Sequence, residues 1–390
     1  MSNAVPTGPL SGLKVLDIAT MLAGPYGATL LGDLGADVVK VETPTGDVSR
    51  SMGPTKGETS GVFHGVNRNK RSIALDLRTE AGRGVLTRLL AWADVLVTNQ
   101  LPSVKQALGV DPGSLDRDHP RLISVSASTF GESGPYAGRP GIDPVAQAMS
   151  GFMAVTGVRG GEPTKAGPPV ADSVASILVA VGALAALWHR QTSGRGQHVD
   201  VALLDGLIHV QAPYVGQYFL LGTQQPRSGN SIDWYAPYNS YVCGDGRLVQ
   251  LACHNDKFWA RLAEAIGRPD LAQHDRFATN AARLVNRDEL DEHIAGFCAS
   301  APRDEVLDRL WQHDVIVGPV YDYDEVFADP QVVHNEMMVT FETDEGPVHT
   351  SGVPLRFSST PGSVRRPPPG LGEHTAEILA ELGIDPEVAT

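Results

Sequence analysis

Asp172 is the strongest candidate for a chemically reactive group in this chain of 390 residues. It stands between a proline-containing loop at positions 167–171 and a long apolar run, Val174–Trp188. A helix that begins there would direct its amide dipoles at the carboxylate, which favours the ionised form and predicts a nucleophile. The same position also fits an N-cap, because Asp commonly precedes the first turn of a helix. Local sequence leaves both roles open.

Several cations and one further acid are candidates for ligand binding. The densest basic cluster, Asn67–Arg71, is either a solvated turn or a site that attracts a phosphorylated ligand. Arg78 and Arg139 lie in loops expected at strand ends, where open α/β sheets bind ligands. Asp143 closes a glycine-rich loop, and its carboxylate is expected to bond its own turn amides.

The composition excludes several classes of partner. A formal net charge of −14 argues against nucleic acid and anionic membranes, because both require a positive surface. The three cysteines have neither metal-ligand nor disulfide spacing, so we expect a cytoplasmic protein without a metal. No signal pattern is visible near Met1, and the apolar run of about 15 residues is shorter than a bilayer requires. We expect it to form a buried core helix.

The first half of the chain predicts an α/β fold with a Rossmann-like, open parallel sheet. Strands are expected at Lys14–Ile18, Ala36–Glu42, Ser72–Leu77, Asp94–Thr98 and Arg121–Ser126, and helices at Gly27–Leu34, Glu80–Trp92 and Leu203–Leu221. The loop after the first strand lacks the Gly-x-Gly-x-x-Gly fingerprint and contains Pro25. A nicotinamide site is therefore not expected, since proline removes an amide that a pyrophosphate would bind.

A polar, turn-rich stretch at Gly222–Asn230 predicts a boundary to a smaller α+β domain. That domain should contain a hairpin of Tyr238–Cys243 and Arg247–Cys253, followed by helices at Asp256–Ile266, Asn286–Ala299 and Asp304–His313. A proline-rich segment, Pro361–Pro369, leads to a last helix. The expected domains are 1–222 for the first part of the large domain, 223–330 for the small domain, and 331–390 for a return linker and the C-terminal part of the large domain.

Short stretches along nearly the whole chain resemble the class III CoA-transferases, the carnitine CoA-transferase / bile-acid-inducible F family. No single stretch is decisive, but their order and spacing are specific. The stretches are Leu10–Asp17, Ala23–Pro25, Leu34–Glu42, Asn69–Asp76, Pro120–Ile123, Gly134–Tyr136, Gly141–Ala148, Thr192–Gln197, Asp329–Pro330 and Leu371–Thr375.

This resemblance implies a fold, an activity and a mechanism. Family members combine a large Rossmann-like domain, built from both chain ends, with a smaller domain, and two ring-shaped subunits interlock as a homodimer. The implied activity is that of an acyl-CoA:carboxylate CoA-transferase, with acyl-CoA and carboxylic acids as substrates and coenzyme A as co-substrate. Asp172 is implied as the nucleophile that forms a mixed anhydride and then an aspartyl-CoA thioester.

The resemblance also implies which residues contact CoA. They are Leu22 and Ala23 in the first loop, Leu75 and Arg78 near the adenine, Asn99, and Arg139 and Asp143 in the glycine-rich loop. Gln100 and Leu101 replace an aromatic residue and a cation that many relatives carry, and Lys105 is the candidate substitute for that cation.

Three alternatives stay open. The first is an α-methylacyl-CoA racemase or an acyl-CoA isomerase on the same fold. Such racemases use a Gly-His-Asp triplet, but this chain has Gly141-Ile142-Asp143, and isoleucine cannot exchange a proton. A nicotinamide-dependent oxidoreductase could use the first β-α-β unit. A non-catalytic CoA-binding protein would be consistent with the altered segment at 99–101.

Overall fold

Short strands and helices alternate along the chain, and the computed structural model describes residues 8–56, 59–343 and 346–385. The strands are β1 Lys14–Asp17, β2 Asp37–Glu42, β3 Thr55–Lys56, β4 Thr59–Ser60, β5 Lys70–Ala74, β6 Val95–Thr98, β7 Ile123–Ser128, β8 His198–Ala202, β9 Tyr238–Val242, β10 Leu248–Ala252, β11 Val317–Pro319, β12 Met338–Thr343 and β13 Gly346–Ser351. The helices are α1 Ala23–Asp33, α2 Gly61–Val66, α3 Glu80–Trp92, α4 Pro102–Leu108, α5 Pro112–Asp118, α6 Asp143–Met149, α7 Phe152–Val155, α8 Val170–Ser193, α9 Leu203–His209, α10 Ala212–Leu221, α11 Asp256–Ala265, α12 Asn280–Val285, α13 Arg287–Cys298, α14 Arg303–Gln312, α15 Tyr323–Ala328, α16 Pro330–His334 and α17 Thr375–Glu381.

Six parallel strands form the main sheet in the order β5-β2-β1-β6-β7-β8. Leu16 in β1 pairs with Val39 in β2 on one side and with Leu96 in β6 on the other. Counted along the chain, this is the doubly wound order 3-2-1-4-5-6, in which ligands bind where the strand order reverses. The predicted open parallel sheet is confirmed, and the reversal lies between β1 and β6.

The long apolar run forms α8, which begins earlier and ends later than predicted and spans 24 residues. By length and composition it is the one described helix that could cross a membrane, a property that core helices share. Its alanine-rich face is buried in the core beside the sheet. A Cβ at Gly27 in α1 would lie 2.5 Å from the side chain of Val179, so α1 and α8 approach closely because that position has no side chain.

Within the described residues, the chain divides into two compact units. The first comprises residues of Met1–Phe152, Lys165–Gly222 and Asp329–Thr390, and the second those of Met153–Thr164 and Thr223–Ala328. Residues 1–7 and 386–390, at the ends of the predicted large domain, lie outside the described ones. The three-part division into domains stays a prediction.

The second unit is built on an antiparallel sheet in the order β11-β10-β9. The predicted hairpin is present, with Leu248 opposite Val242. Trp259 and Phe277 are buried in the core of this unit, and their rings meet edge to face. The three predicted helices of the unit correspond to α11, α13 and α14.

Two local predictions were wrong. The single helix predicted for Leu203–Leu221 is interrupted between α9 and α10, because Pro213 lies in the first turn of α10 and has no amide with which to continue the preceding helix. The strand predicted at Ser72–Leu77 begins two residues earlier, so that Lys70 and Arg71 lie inside β5. The hairpin of β12 and β13 was not predicted.

Candidate active site

Two cavities open where the strand order reverses, and the loops after β1 and β6 contribute to both. The first, of about 580 Å³, contains Asp172 in its wall and is called the Asp172 cavity. The second, of about 750 Å³, contains Arg78 and is called the Arg78 cavity. Met21 and Asn99 line the Asp172 cavity, whereas Thr20 and Gln100 line the Arg78 cavity.

Asn99 holds the loop that follows β1. Its side-chain oxygen accepts a hydrogen bond from the Thr20 amide at 2.9 Å, and its Nδ2 donates to the Thr20 carbonyl at 2.7 Å. Gln100 Nε2 donates to the carbonyl of Ile18 in the same loop. Asn99, predicted as a CoA contact, therefore also fixes the backbone beside the cavity.

Met21 has a left-handed backbone conformation, with a φ of 69°, which is uncommon for a residue other than glycine. Its amide donates to Asp47 Oδ1 at 3.2 Å. Asp47 in turn forms an ion pair of 2.8 Å with the buried Lys40, whose Nζ also donates to the Ala19 carbonyl. Burial alone would raise the pKa of Asp47, but Lys40 and Ser49 outweigh it and lower the pKa. A buried ion pair thus holds the strained turn.

The Asp172 cavity brings together the predicted nucleophile and five of the seven predicted CoA contacts. Those five are Leu22, Ala23, Asn99, Arg139 and Asp143. Much of the remaining wall is apolar, including Val62, Leu101 and Leu203. A single cavity therefore combines a carboxylate with an environment of low polarity.

Asp172 is the third residue of α8 and not its N-cap. The N-cap is Pro169, and the helix begins at Val170, because the two prolines fix the backbone immediately before it. Within the part of the chain that the structure describes, no group hydrogen-bonds to the Asp172 carboxylate. The N-cap interpretation is wrong for this residue.

Asp143, and not Asp172, is the carboxylate that accepts hydrogen bonds from the amides at the start of α8. Its buried Oδ2 accepts hydrogen bonds from the amides of Ala171 at 2.7 Å and Asp172 at 3.2 Å, at the start of α8. Oδ1 accepts from Gln147 Nε2. The expectation that Asp143 bonds its own turn amides is wrong, since both amides belong to another helix. Asp143 acts here as a positioning residue.

The charge state of Asp172 also differs from the expectation. Burial, together with the neighbouring negative charge of Asp143, raises the pKa of Asp172 to about 7. The amides that were expected to lower this pKa are bonded to Asp143 instead. Both the neutral and the ionised form of Asp172 are consequently populated near neutral pH.

The other two predicted contacts, Leu75 and Arg78, line the Arg78 cavity. Leu75 is buried, while the Arg78 side chain is exposed and pairs with Asp76 at 2.7 Å. Hydrogen bonds from Arg78 lower the pKa of Asp76 to about 2. The predicted CoA contacts are thus divided between two cavities that share the same two loops.

The basic cluster Asn67–Arg71 is neither a solvated turn nor a free anion site, and both interpretations were wrong. Its residues are buried. Arg68 pairs with Asp33 at 2.6 Å, Lys70 with Asp17 at 2.8 Å, and Arg71 with Asp37 at 2.7 Å. Arg68 lies two residues before β5, and Lys70 and Arg71 lie in this strand, so each cation is already bound by a carboxylate of the fold.

Lys105 does not replace the missing cation of the 99–101 segment. It is buried and forms an ion pair with Glu132 and a hydrogen bond of 3.1 Å with Ser126. Burial raises the pKa of Glu132, but hydrogen bonds from His198 and Lys105 outweigh it and hold the pKa at about 2. Lys105 therefore already has a counter-ion within the fold.

Sequence reasoning missed three residues of this region. Asp47 and Gln147 are far along the chain from the loops they bond, so no local pattern identifies them. Lys165 lines the Asp172 cavity and could have been noticed as a cation seven positions before Asp172. In residues 8–56, 59–343 and 346–385, no group of three or more His, Cys, Asp or Glu side chains could hold a metal ion.

The fold and the two cavities define a doubly wound α/β protein with a carboxylate of raised pKa at the strand-order reversal, where sheets of this kind bind ligands. A family model described as CoA-transferase family III matches residues 10–375. The chain is 39% identical to the succinate–glutarate CoA-transferase of Agrobacterium fabrum over 100% of this chain and 99% of the relative. It is 35% identical to the succinyl-CoA–D-citramalate CoA-transferase of Chloroflexus aurantiacus, over 98% of this chain and 96% of the relative.

A crystal structure of a CaiB/BaiF family protein from Brucella suis is similar with a TM-score of 0.89 and 39% identity, covering 96% of this chain and 100% of that one. The chain belongs to CoA-transferase family III and is an enzyme of the CoA-transferase class.

Proposed function

We propose that this enzyme transfers CoA from an acyl-CoA donor to a carboxylic acid through covalent intermediates on Asp172. The observation that carries the proposal is the state of the Asp172 carboxylate. It is half-buried in a largely apolar cavity, has a pKa of about 7, and accepts no hydrogen bond from any described residue. A poorly solvated carboxylate of this kind is a stronger nucleophile than one in water.

In the first half of the reaction, ionised Asp172 attacks the carbonyl carbon of the donor thioester. The carbon–sulfur bond breaks, and CoA leaves as the thiolate with the electron pair, which gives a mixed anhydride between the donor acid and Asp172. The thiolate then attacks the Asp172 carbonyl carbon. The donor carboxylate departs and an aspartyl-CoA thioester remains.

The second half repeats these steps in the opposite direction. The acceptor carboxylate attacks the aspartyl-CoA thioester, and the thiolate leaves while an anhydride with the acceptor forms. Attack of the thiolate on the acceptor carbonyl releases the acceptor acyl-CoA and returns Asp172 as a carboxylate. No net proton is consumed, and the apolar wall limits the water that could hydrolyse the anhydride.

The two cavities suit a long ligand with a charged end and a reactive end. Arg78 and Arg83 line the Arg78 cavity and could bind phosphate groups of CoA, while Leu75 offers an apolar wall to the adenine. The loops shared with the Asp172 cavity would lie beside the pantetheine arm. We assign CoA contacts to Leu22, Ala23, Leu75, Arg78, Asn99 and Arg139, with Asp143 holding the start of α8.

Short dicarboxylic acids are the substrate class that we propose. The two relatives described above are named for succinate, glutarate and citramalate, and all three are dicarboxylic acids. The two relatives align over nearly their whole lengths. The particular donor and acceptor follow from a screen of acyl-CoA donors against short dicarboxylic and branched acids, with mass spectrometry of the CoA products as the measurement.

We further propose a homodimer in the cytoplasm. Large apolar side chains are exposed on α8 and α10, with Trp188 at 71%, Phe219 at 79% and Leu220 at 82% exposure, which favours their burial against a second copy. The three cysteines are free thiols buried in the second unit, in keeping with a reducing compartment. Light scattering on the purified protein determines the subunit number.

Replacement of Asp172 by Ala tests the mechanism. We expect Asp172→Ala to lose transfer with every donor while it still binds CoA, and the exposed Asp205→Ala to serve as the matched control. Hydroxylamine added during turnover should convert the aspartyl-CoA thioester of the wild type into a hydroxamate that peptide mass spectrometry locates at Asp172. Retained transfer by Asp172→Ala would falsify the assignment.

An α-methylacyl-CoA racemase requires two groups that exchange protons with the α-carbon. Ile142, which replaces the racemase histidine, lines the Asp172 cavity and has no such proton. We therefore expect no deuterium incorporation at the α-carbon of a branched acyl-CoA when the acceptor acid is omitted.

A further inference from the structure

Lys165 is a cation in the wall of the Asp172 cavity that the transfer mechanism does not use. Two cations line this cavity, Lys165 and Arg139. Arg139 lies over the ring of Tyr136, with its guanidinium carbon 4.2 Å from the ring centroid. Across residues 8–56, 59–343 and 346–385, neither cation has a carboxylate within ion-pair distance, although the chain is strongly acidic and its basic cluster is fully paired.

The backbone that carries Lys165 is tied to the same buried residues that hold Asp172. The amide of Ala166 donates to Gln147 Oε1 at 2.9 Å, and the fully buried Gln147 donates through Nε2 to Asp143. Asp143 accepts hydrogen bonds from the amides of Ala171 and Asp172. The loop with Lys165 and the first turn of α8 therefore have fixed relative positions.

The surroundings of Lys165 indicate what it binds. Nζ of Lys165 donates to the carbonyl of its neighbour Ala166 at 3.1 Å, which leaves further N–H groups free for a ligand. The Lys165 side chain is exposed to solvent, while much of the remaining wall is apolar, so an anionic ligand group in this cavity has Lys165 as one of its two cationic partners. A monocarboxylic acid has no charge left once it becomes a thioester. A dicarboxylic acid keeps one carboxylate.

We propose that Lys165 binds the free carboxylate of a dicarboxylic acyl group and thereby selects such substrates over monocarboxylic ones. This inference rests on the proposed transfer function and adds the residue that distinguishes the substrate class. Arg139 is the alternative cation, but its stacking on Tyr136 and its place in the glycine-rich loop fit a contact with CoA itself, which all donors share.

The test compares two donors that differ at one end only. Succinyl-CoA carries a carboxylate where butyryl-CoA carries a methyl group. In Lys165→Met, we expect the ratio of kcat/KM for succinyl-CoA to that for butyryl-CoA to fall at least about tenfold, because a site built for a charged group discriminates strongly. Lys165→Arg should restore much of the ratio. Arg139→Met should lower kcat/KM for both donors alike.

A binding experiment tests the same point without turnover. In the Asp172→Asn background, which cannot form the covalent adduct, calorimetry compares the affinities of both acyl-CoAs with and without Lys165→Met. A selective loss of succinyl-CoA affinity supports the proposal, with Lys257→Met on α11 as the exposed-lysine control.

An equal loss for both donors and for free CoA, or no loss at all, overturns the role of Lys165. Transfer from butyryl-CoA but not from any dicarboxylic donor in the wild type overturns it as well and leaves the transferase function intact. The proposed function fails separately if Asp172→Ala retains transfer.

Discussion

Two groups of buried or half-buried carboxylates in the first unit have opposite electrostatic surroundings. In the paired cluster, formed by Asp17, Lys40, Asp47 and Lys70, each carboxylate lies within 4 Å of a buried ammonium group. In the acidic pair, Asp143 and Asp172, no cation of the described residues lies within ion-pair distance of Asp172, and the neighbouring charge has the same sign. The first group stabilises backbone geometry, whereas the second destabilises one ionised side chain.

The pKa values of Lys40, Asp47 and Asp172 follow this difference, whereas burial outweighs the attraction of Asp17 and lowers the pKa of Lys70 to about 8. Burial would lower the pKa of Lys40, but Asp17 and Asp47 outweigh it and raise the pKa. The pKa of Asp47 is lowered by Lys40 despite burial. The pKa of Asp172 is raised to about 7 by burial and by Asp143, and no attraction opposes the shift. A carboxylate whose pKa is raised by burial and by a neighbouring negative charge is common in active sites.

The largest expected effect comes from neutralising Asp172. Asp172→Asn should reduce kcat by about a thousandfold or more, because the amide cannot form the anhydride. The measurement is steady-state transfer with the best donor–acceptor pair, with chromatographic removal of residual wild-type protein. Activity within tenfold of the wild type would contradict a covalent role.

The same variant should be more stable than the wild type. The folded pKa of about 7 exceeds the ordinary value of 3.8, so between about pH 4 and pH 7 the unfolded chain ionises Asp172 while the folded chain keeps it largely neutral, and the wild type loses stability as pH rises over this range. We expect the Tm of Asp172→Asn to exceed that of the wild type by a margin that grows over this range and is constant above it. Equal margins at pH 4.5 and pH 8 would contradict the raised pKa.

Removal of a cation from the paired cluster should destabilise the fold. Lys40→Met leaves Asp47 and Asp17 buried without that ammonium, and we expect a loss of about 3–5 kcal/mol in the free energy of unfolding. Denaturant unfolding measures the loss, with Lys257→Met as the exposed control. Addition of Asp47→Asn to Lys40→Met should recover part of it, because one uncompensated charge is then removed.

Weakening of the acidic pair should change pH dependence more than stability. Asp143→Asn removes one of the two causes that raise the pKa of Asp172, so the acid limb of kcat/KM for the donor should move to lower pH, while burial keeps it above the ordinary range. The pH profile of kcat/KM measures this. A limb that stays in place or moves upward would exclude Asp143 as a source of the shift.

The smallest effect is expected for an exposed ion pair. Asp76 and Arg78 form their bond at the surface, where water screens the attraction. Asp76→Asn should leave the Tm unchanged and serves as the reference for the buried carboxylates. A marked fall in Tm would mean that burial does not account for the larger effects expected at the buried carboxylates.

Much of the fold could be predicted because its signals are local. Each signal involves residues only a few positions apart in the chain. The examples are the apolar runs of β1, β2, β6 and β7 and the hairpin around Gly244–Gly246. The membership of Leu22, Ala23, Asn99 and Asp172 in one cavity also followed from matching short motifs. The burial of Arg68, Lys70 and Lys105 could not be predicted, because their partner carboxylates lie 27 or more positions away.

The sequence by itself determined the alternation of strands and helices, the acidic charge and the identity of the one candidate nucleophile, since these depend on residue type and short-range pattern. Only the tertiary structure decided the state of that nucleophile. The amides at the start of α8 could have bonded either Asp172 or an acid from elsewhere, and the fold supplies Asp143 from α6. Desolvation and the proximity of like charges are properties of the packed molecule, and together they raise the pKa of Asp172.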